Sequence, residues 1–394
     1  MGYSGNLTRT ALLWMKLTSE PLVALYTLLP FILIKDFGAS ALQISIFAAL
    51  KPVLAVLAYY LSAHHVKNGK STSQNLIHAW VLAYLPFLFF PWFGSYAYLL
   101  LAASFYQIFS KAATPPLMEL LKQNIPKTAR ENLFSKSYMF CFGFSMFLGL
   151  FIGKLLDRYD VSWLLALSSL LALTSFHIQR KIPHTTVALP SKYKNPILDP
   201  LKESLTLMNT NRDFKQFQIG FMIGGSALMF MTSALPIYLD ALHLSHEKVS
   251  TARFIFMAVG VLFSSMVWKN FLHKSTINKL MPWITIGFGL YPLCVLGSNV
   301  NLAFLIYGVA QAGSHLIWNL SGTIFAKDGN SAPYTAINIL SIGLRGLFVP
   351  FLGGLACTFF GPVPVMIIGS ITSFVGAFFM YRSAYTAQPE QQAL

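Results

Sequence analysis

Charge is what this sequence most conspicuously lacks. Only 10% of its 394 residues are Asp, Glu, Lys or Arg, 55% are hydrophobic, and the mean hydropathy is +0.59. A soluble chain needs roughly a quarter of its residues charged to cover its surface, so water is not the main solvent here. Acids are the scarcest group: 13 Asp and Glu in all, mostly scattered through loops. That argues against an enzyme working with clustered acids at a membrane face. The three cysteines, Cys141, Cys294 and Cys357, sit in apolar segments. There they behave as small hydrophobes, and no disulfide framework is implied. Phosphate-binding loops, zinc-protease helices and nucleophile elbows are missing too, which removes ATP-driven pumping. The longest polar stretch is about 35 residues (181–215), too short for a receptor's soluble domain.

What is present is apolar and comes in blocks. They fall at about 12–34, 40–62, 74–93, 96–120, 134–156, 161–179, 216–239, 250–270, 280–298, 301–325, 334–357 and 363–382. Each is close to the ~20 residues that cross a hydrocarbon core. In lipid every backbone polar group must be paired within the segment, so the blocks are predicted as helices. The expected fold class is an all-α membrane protein of twelve transmembrane helices. The first block stays as a helix: Lys16, Glu20 and Pro21 interrupt it, and no small-residue cleavage site follows.

The formal net charge of +15 invites a nucleic-acid reading, but its distribution argues otherwise. With alternating spans and a cytoplasmic N-terminus, four of the 28 Lys and Arg fall deep inside spans, away from their ends: Lys16, Lys51, Lys111 and Arg345. Five fall outside the cell (Lys35, Lys154, Arg158, Lys248, Arg253), and the other nineteen lie on the cytoplasmic side. That is a positive-inside bias. It predicts cytoplasmic termini, with the lipid bilayer rather than nucleic acid as partner. The compact loops suggest a bacterial inner membrane.

The basic, proline-bearing stretch 181–215 reads as a cytoplasmic linker with a short helix near 199–210, dividing the chain into halves 1–180 and 216–394. The halves look related at an offset of 204: Lys70-Ser71-Thr72 recurs as Lys274-Ser275-Thr276, Leu76 matches Leu280, Gln107 matches Gln311, Ser110 matches Ser314, and Lys111 falls on His315. Duplicated halves with a midplane site are a common transporter build.

Two six-span halves with a basic linker resemble the major facilitator superfamily. Phe37-Gly38-Ala39-Ser40 followed by Gln43-Ile44 looks like the start of that family's second helix, and Asn124-Ile125-Pro126 with Arg130 resembles its loop after the fourth. His315-Leu316-Ile317-Trp318-Asn319-Leu320 and Gly343-Leu344-Arg345-Gly346-Leu347 look like a bacterial branch of it. The family's acid and leading glycine are missing from the 2–3 loop, Leu61 to Lys70. So is the Gly-Pro signature of drug antiporters on the fifth helix, where Gly143, Gly149 and Gly153 have no proline among them. The resemblance implies pseudo-symmetric halves, alternating access, and a cavity lined by spans 1, 4, 7 and 10.

Charges inside a bilayer cost a few kcal/mol each on insertion scales, about 2.5–3.5, so each needs a reason. At 1.5 Å per residue, Glu20 and Lys111 lie roughly 12–13 Å from the cytoplasmic ends of their helices, and Lys51 and Arg345 roughly 16 Å in. Four cations face one acid, Glu20, whose nearest candidate partner is Lys16 at i−4. An anionic solute would relieve the excess, Arg by a bidentate grip and Lys as a point charge. Gln107 shares a face with Lys111. On span 10, Gln311, His315, Trp318, Asn319 and Gly322 form one stripe. Substrate contacts are therefore expected at Lys51, Gln107, Lys111, Gln311, His315, Trp318, Asn319 and Arg345, and coupling or gating at Lys16, Glu20 and His315. For each, a packing role or helix clamp is the competing reading. His243, His246, Asp240 and Glu247 around one outside loop are a conceivable metal set, though no metal or cofactor is built into the expectation. The expected function is secondary transport of a small organic anion, proton-coupled or by exchange, by a monomer. Efflux of amphipathic drugs or lipids is the alternative within transport, suggested by 34 Phe and 14 Met. A non-transporting enzyme or receptor scaffold is the alternative outside it.

Overall fold

The computed structural model describes residues 3–67, 72–183, 206–326 and 332–386. Lys70 and Ser71 of the repeated tripeptide and most of the linker lie outside the described residues, while residues 206–210 of the expected linker helix are helical. All regular structure among the described residues is helical, and besides residues 206–210 it forms twelve blocks. They are α1 (Tyr3–Lys35), α2 (Ala41–Lys67), α3 (Thr72–Leu88, extended by Phe90–Phe93), α4 (Tyr96–Ala112, resuming as Thr114–Asn124), α5 (Lys127–Leu156) and α6 (Val161–Thr174, then Phe176–Gln179). The chain continues as α7 (Arg212–Phe230, then Ala234–Ala241), α8 (His246–Thr251, a π-helical turn Ala252–Phe256, then Met257–Lys274), α9 (Ile277–Leu296), α10 (Val300–Ala326), α11 (Ala332–Phe360) and α12 (Pro362–Thr386).

Among the described residues, eight helices are long and apolar enough to cross a membrane, in α1, α6, α7, α8, α9, α10, α11 and α12, and α2 and α5 hold shorter apolar helices. In α3 and α4 the main helical piece is 17 residues. Proline is the reason. Pro91 stands just past the break after Leu88, and Pro115-Pro116 just past the interruption at Ala113. A proline supplies no N–H and crowds the carbonyl four residues back. Pro21, Pro30, Pro52, Pro292 and Pro350 are accommodated inside continuous helices.

Helix ends follow local chemistry. At the α1–α2 junction Gly38 takes φ +59°. Its N–H donates to the Ile34 carbonyl and that of Ala39 to Leu33, a left-handed C-cap. Ser40 and Gln43 then cap each other reciprocally: Gln43 Oε1 accepts from the Ser40 N–H at 2.7 Å and Ser40 Oγ from the Gln43 N–H at 3.3 Å. This capping box is the physical content of the Phe37-Gly38-Ala39-Ser40…Gln43 motif. Ser95, Asp160 and Asn211 cap their helices with side-chain oxygens.

The chain forms two compact units. Unit 1 is Met1–Ala39, Leu50–Lys194 and Ser245–Ser250; unit 2 is Ser40–Ala49, Asn195–Leu244 and Thr251–Leu394. In unit 1, α1 packs on α5 and α6, and α3 packs on α4 and α6. In unit 2, α7 packs on α11 and α12, and α9 on α10 and α12. The second set is the first advanced by six helices, which is the pseudo-symmetry that the 204-residue offset suggests. Large apolar side chains cover the outside: Phe263, Met266 and Phe359 are each more than three-quarters exposed. In a soluble protein such a surface would be unstable; against lipid it is the preferred one.

Candidate functional site

Unit 1 holds a polar interior built around Glu20. Its carboxylate accepts a hydrogen bond from the Ser145 hydroxyl on α5. Lys16 acts on it electrostatically, but the expected Lys16–Glu20 ion pair is not among those formed by the described residues. The α1–α5 contact gives Glu20 a cross-helix partner, and a lysine one turn earlier need not supply it. Tyr84 and Tyr106 lie within electrostatic reach of Glu20, and Tyr26 packs on Tyr106. The Tyr26 and Tyr106 rings lie 4.8 Å apart, and those of Tyr84 and Tyr106 5.7 Å apart. Gln107 is buried beside the Tyr26 hydroxyl. Lys111 is exposed in the last turn before the α4 break. It makes no ion pair or hydrogen bond among the described residues. Its ammonium there complements the helix's C-terminal dipole. Lys51 is exposed on α2. Sequence reasoning missed Tyr26, Tyr84, Tyr106 and Ser145. The available signal was that Tyr106 adjoins Gln107 and that tyrosine hydroxyls in an apolar helix need partners.

Unit 2 places Arg345 at its centre. The side chain is 6% exposed. Nη1 donates to the Phe221 carbonyl of α7 at 2.6 Å, and the guanidinium lies 5.0 Å from the Phe221 ring. Phe221 in turn stacks on Trp318 of α10, with centroids 5.8 Å apart and planes 21° off parallel. Glycine makes the approach possible: a Cβ at Gly225 would collide with the guanidinium. Nε of Arg345 is buried with no hydrogen-bond partner, and no carboxylate pairs with the guanidinium among the described residues. Two turns away on the same helical face, Gln218 Nε2 donates to Asn338 Oδ1, and Asn338 Nδ2 donates to Ser321 Oγ at 2.8 Å. Asn338, which shares a sequence face with Arg345, is thus tied into this chain rather than to the arginine. Gln311 and His315 join side chain to side chain at 3.0 Å on α10. The side chain of Asn319 lies outside the described residues. The structure therefore gathers Arg345 and Trp318 about Phe221, and Gln311 with His315, within unit 2; Lys51, Gln107, Lys111, Lys16 and Glu20 belong to unit 1.

A third cluster lies beyond the ends of α1 and α5. The metal set imagined from the loop does not assemble: the described residues contain no such group. Instead His246 packs its ring between two acids distant in sequence. Nδ1 lies 2.8 Å from Asp157 Oδ1, and Nε2 lies 3.2 Å from Asp36 Oδ2, within ion-pair range though poorly aligned for a hydrogen bond. Asp157 also accepts the backbone N–H groups of His246 at 3.1 Å and Glu247 at 3.0 Å. Partial burial pushes the Asp157 carboxyl up, but the Glu247 N–H, the His246 ring and the His246 N–H together hold it below the usual carboxylate range.

The sequence profile described as Major Facilitator Superfamily matches residues 21–338. The chain belongs to the major facilitator superfamily. It is accordingly an integral membrane protein and a secondary transporter, not an enzyme. No curated protein sequence matches the chain. Solved structures of this superfamily architecture do. A mutant form of the nucleoside transporter NupG superposes with TM-score 0.76 at 14% identity, over 95% of this chain and 98% of that one. A mutant form of the peptide transporter POT, in complex with alafosfalin, gives TM-score 0.75 at 14% identity, over 98% and 96%. A D-xylose-proton symporter gives TM-score 0.64 at 13% identity, over 96% of each. At such identities the likeness is one of fold.

Proposed function

We propose that this transporter carries a small organic anion by alternating access, with the N- and C-termini cytoplasmic. The observation that carries the reading is Arg345. A guanidinium buried in a membrane-spanning bundle, with Nε unpaired and no carboxylate partner among the described residues, is an uncompensated charge. Leaving one buried costs several kcal/mol, about 3–5 when a partner is removed from a pair. A carboxylate or phosphate on the solute would supply the missing partner, and the Phe221–Trp318 pair beside it would favour a solute with a flat apolar part. Lys111 supports the same reading from unit 1. An exposed ammonium without a partner at that depth is disfavoured against hydrocarbon, and its place is on a water-filled path. Gln311 with His315, and Lys51 with Gln107, are the further polar contacts proposed for the solute. Glu20, with Lys16, and His315 are the proposed coupling and gating groups.

The neighbours in fold are described as carriers of nucleosides, peptides and D-xylose, so those solutes belong in the test. Detergent-purified protein would be screened by thermal shift against sugar phosphates, nucleotides, dicarboxylates, nucleosides, dipeptides, sugars and cationic dyes. Binding to the folded state raises its apparent stability. An anion should stabilise the wild type, load into sealed vesicles, and lose its effect in Arg345→Ala. Stabilisation by nucleosides, dipeptides, sugars or dyes alone, unchanged in Arg345→Ala and Lys111→Ala, would sink the anion reading and leave those charges structural.

A further inference from the structure

We propose that His246 is a proton-binding site that holds the segment Ser245–Ser250 on unit 1 at the outer face, docked when the ring is protonated and released when it is not. The proposal rests on the transporter reading and its orientation, and is independent of the solute being an anion.

By sequence this segment follows α7 and opens α8, yet it is built into unit 1. His246 is its anchor, 4% exposed, with Phe31 edge-on at 5.5 Å between centroids. Each ring nitrogen faces a carboxylate from a different helix end: Asp36 just past α1 and Asp157 just past α5. A neutral imidazole has one N–H and can serve one carboxylate; only the imidazolium presents a donor and a charge to both. Without that charge, two acids converge on a neutral ring. The other charged groups do not take its place. From α1, Lys35 lies over the Phe31 ring at 5.6 Å and opposes the imidazolium. From α5, Lys154 pairs with the exposed Glu247 at 3.5 Å. Lysines and carboxylates keep their charges between pH ~5 and ~9, whereas an unperturbed imidazole titrates near 6.5. His246 is the member of this cluster suited to switch.

The rest of the seat is neutral and fixes where the segment docks. Ser250 Oγ donates to the Gly149 carbonyl of α5 at 2.7 Å. A Cβ at Gly153 would fall 2.6 Å from Glu247 Cα, so the segment lies directly on the glycine face of α5. Beyond Ser250 the chain runs straight into the π-helical turn of α8, so release of the segment frees the start of that helix from unit 1.

Ser250 is fully buried in the docked state, which makes Ser250→Cys a reporter once Cys141, Cys294 and Cys357 are replaced by alanine. The full chain would be reconstituted in oriented vesicles and labelled from outside with a membrane-impermeant maleimide. Each rate would be divided by that of the unfolded chain at the same pH, which removes the thiol's own pH dependence. The normalised rate should rise about tenfold between pH ~5.5 and ~8.5, across the imidazole range. With His246→Gln it should be fast at both. Asp36→Asn keeps the Asp157 contact and serves if the glutamine variant does not fold; it should shrink the pH effect without abolishing protection at low pH. A rate independent of pH in the parent, or slow labelling of His246→Gln at both pH values, would overturn the latch. Labelling only from the cytoplasmic face would overturn its outer placement. An anion screen without hits would bear on the solute alone.

Discussion

Units 1 and 2 share a skeleton and differ in what they bury. The first helix of each packs on the fifth and sixth, and the third on the fourth and sixth. Inside that common frame, unit 1 holds a half-buried carboxylate, Glu20, with Ser145 and a group of tyrosines. Unit 2 buries a guanidinium, Arg345, with an amide chain through Gln218 and Asn338. Apolar packing between helices depends on where small and large residues fall, so it survives duplication. Buried polar groups need specific partners and can be exchanged only as sets. The two units therefore differ in the charge they hold and not in architecture.

The sharpest way to break this comparison is to remove each unit's charge. Arg345→Ala should weaken anion binding on the order of 100-fold, the scale of losing one member of a buried charged contact. Glu20→Gln should leave binding within about threefold, and calorimetric titration of the stabilising anion reads both. Gly225→Val comes next. Its Cβ would overlap the guanidinium, and overpacking of this kind costs about 1–3 kcal/mol, visible as a lower unfolding temperature with anion binding lost in parallel. Gly143→Val, where nothing lies within 4 Å of the added Cβ, is the control in unit 1.

Breaking the amide chain is expected to cost less. Asn338→Leu strands Gln218 and Ser321 and should lower stability by about 1–3 kcal/mol; Ser145→Ala in unit 1 should cost about 1.5–3 kcal/mol, since the Glu20 carboxylate loses a donor. Thermal unfolding with a bound dye measures both. Asp157 gives a pH test. Its folded-state carboxyl is held below the usual range, so its contribution is present above the unfolded pKa of about 3.9 and fades as pH falls through the depressed value. The stability gap between wild type and Asp157→Asn should narrow in strong acid as the carboxylate is protonated, and narrow again above the imidazole range as His246 loses its charge. The smallest effect belongs to the helix caps. Ser40→Ala in unit 2 and Asp160→Ala in unit 1 should each cost about 0.5–2 kcal/mol, with Ser40→Ala the larger because it dismantles a reciprocal pair.

Much of the architecture was legible beforehand because it depends on short-range information. Twenty apolar residues span a bilayer whatever they pack against, and the helix blocks follow the hydropathy closely. The capping box at Ser40 and Gln43 and the helix break at Pro115-Pro116 are equally local. The site was legible only in part. Trp318 and Arg345 were named from sequence, but Phe221, which joins them, carries no polar signal. Glu20 was matched to Lys16, its neighbour on the helix, whereas the hydroxyl it binds, Ser145, is 125 residues away.

What the sequence alone determined is the class of protein, the rough limits of its helices, and which residues carry charge within them. These follow from composition and from periods of a few residues, which the chain displays directly. What only the tertiary structure decided is partnership. His246 reads as part of a loop metal set until the fold brings Asp36 and Asp157 to its two nitrogens. Arg345 reads as one more cation until it is found against the Phe221 carbonyl with no acid paired to it among the described residues. A hydrogen bond or an ion pair is made across a few ångströms of space, and in a bundle of long helices that distance bears no relation to separation along the chain.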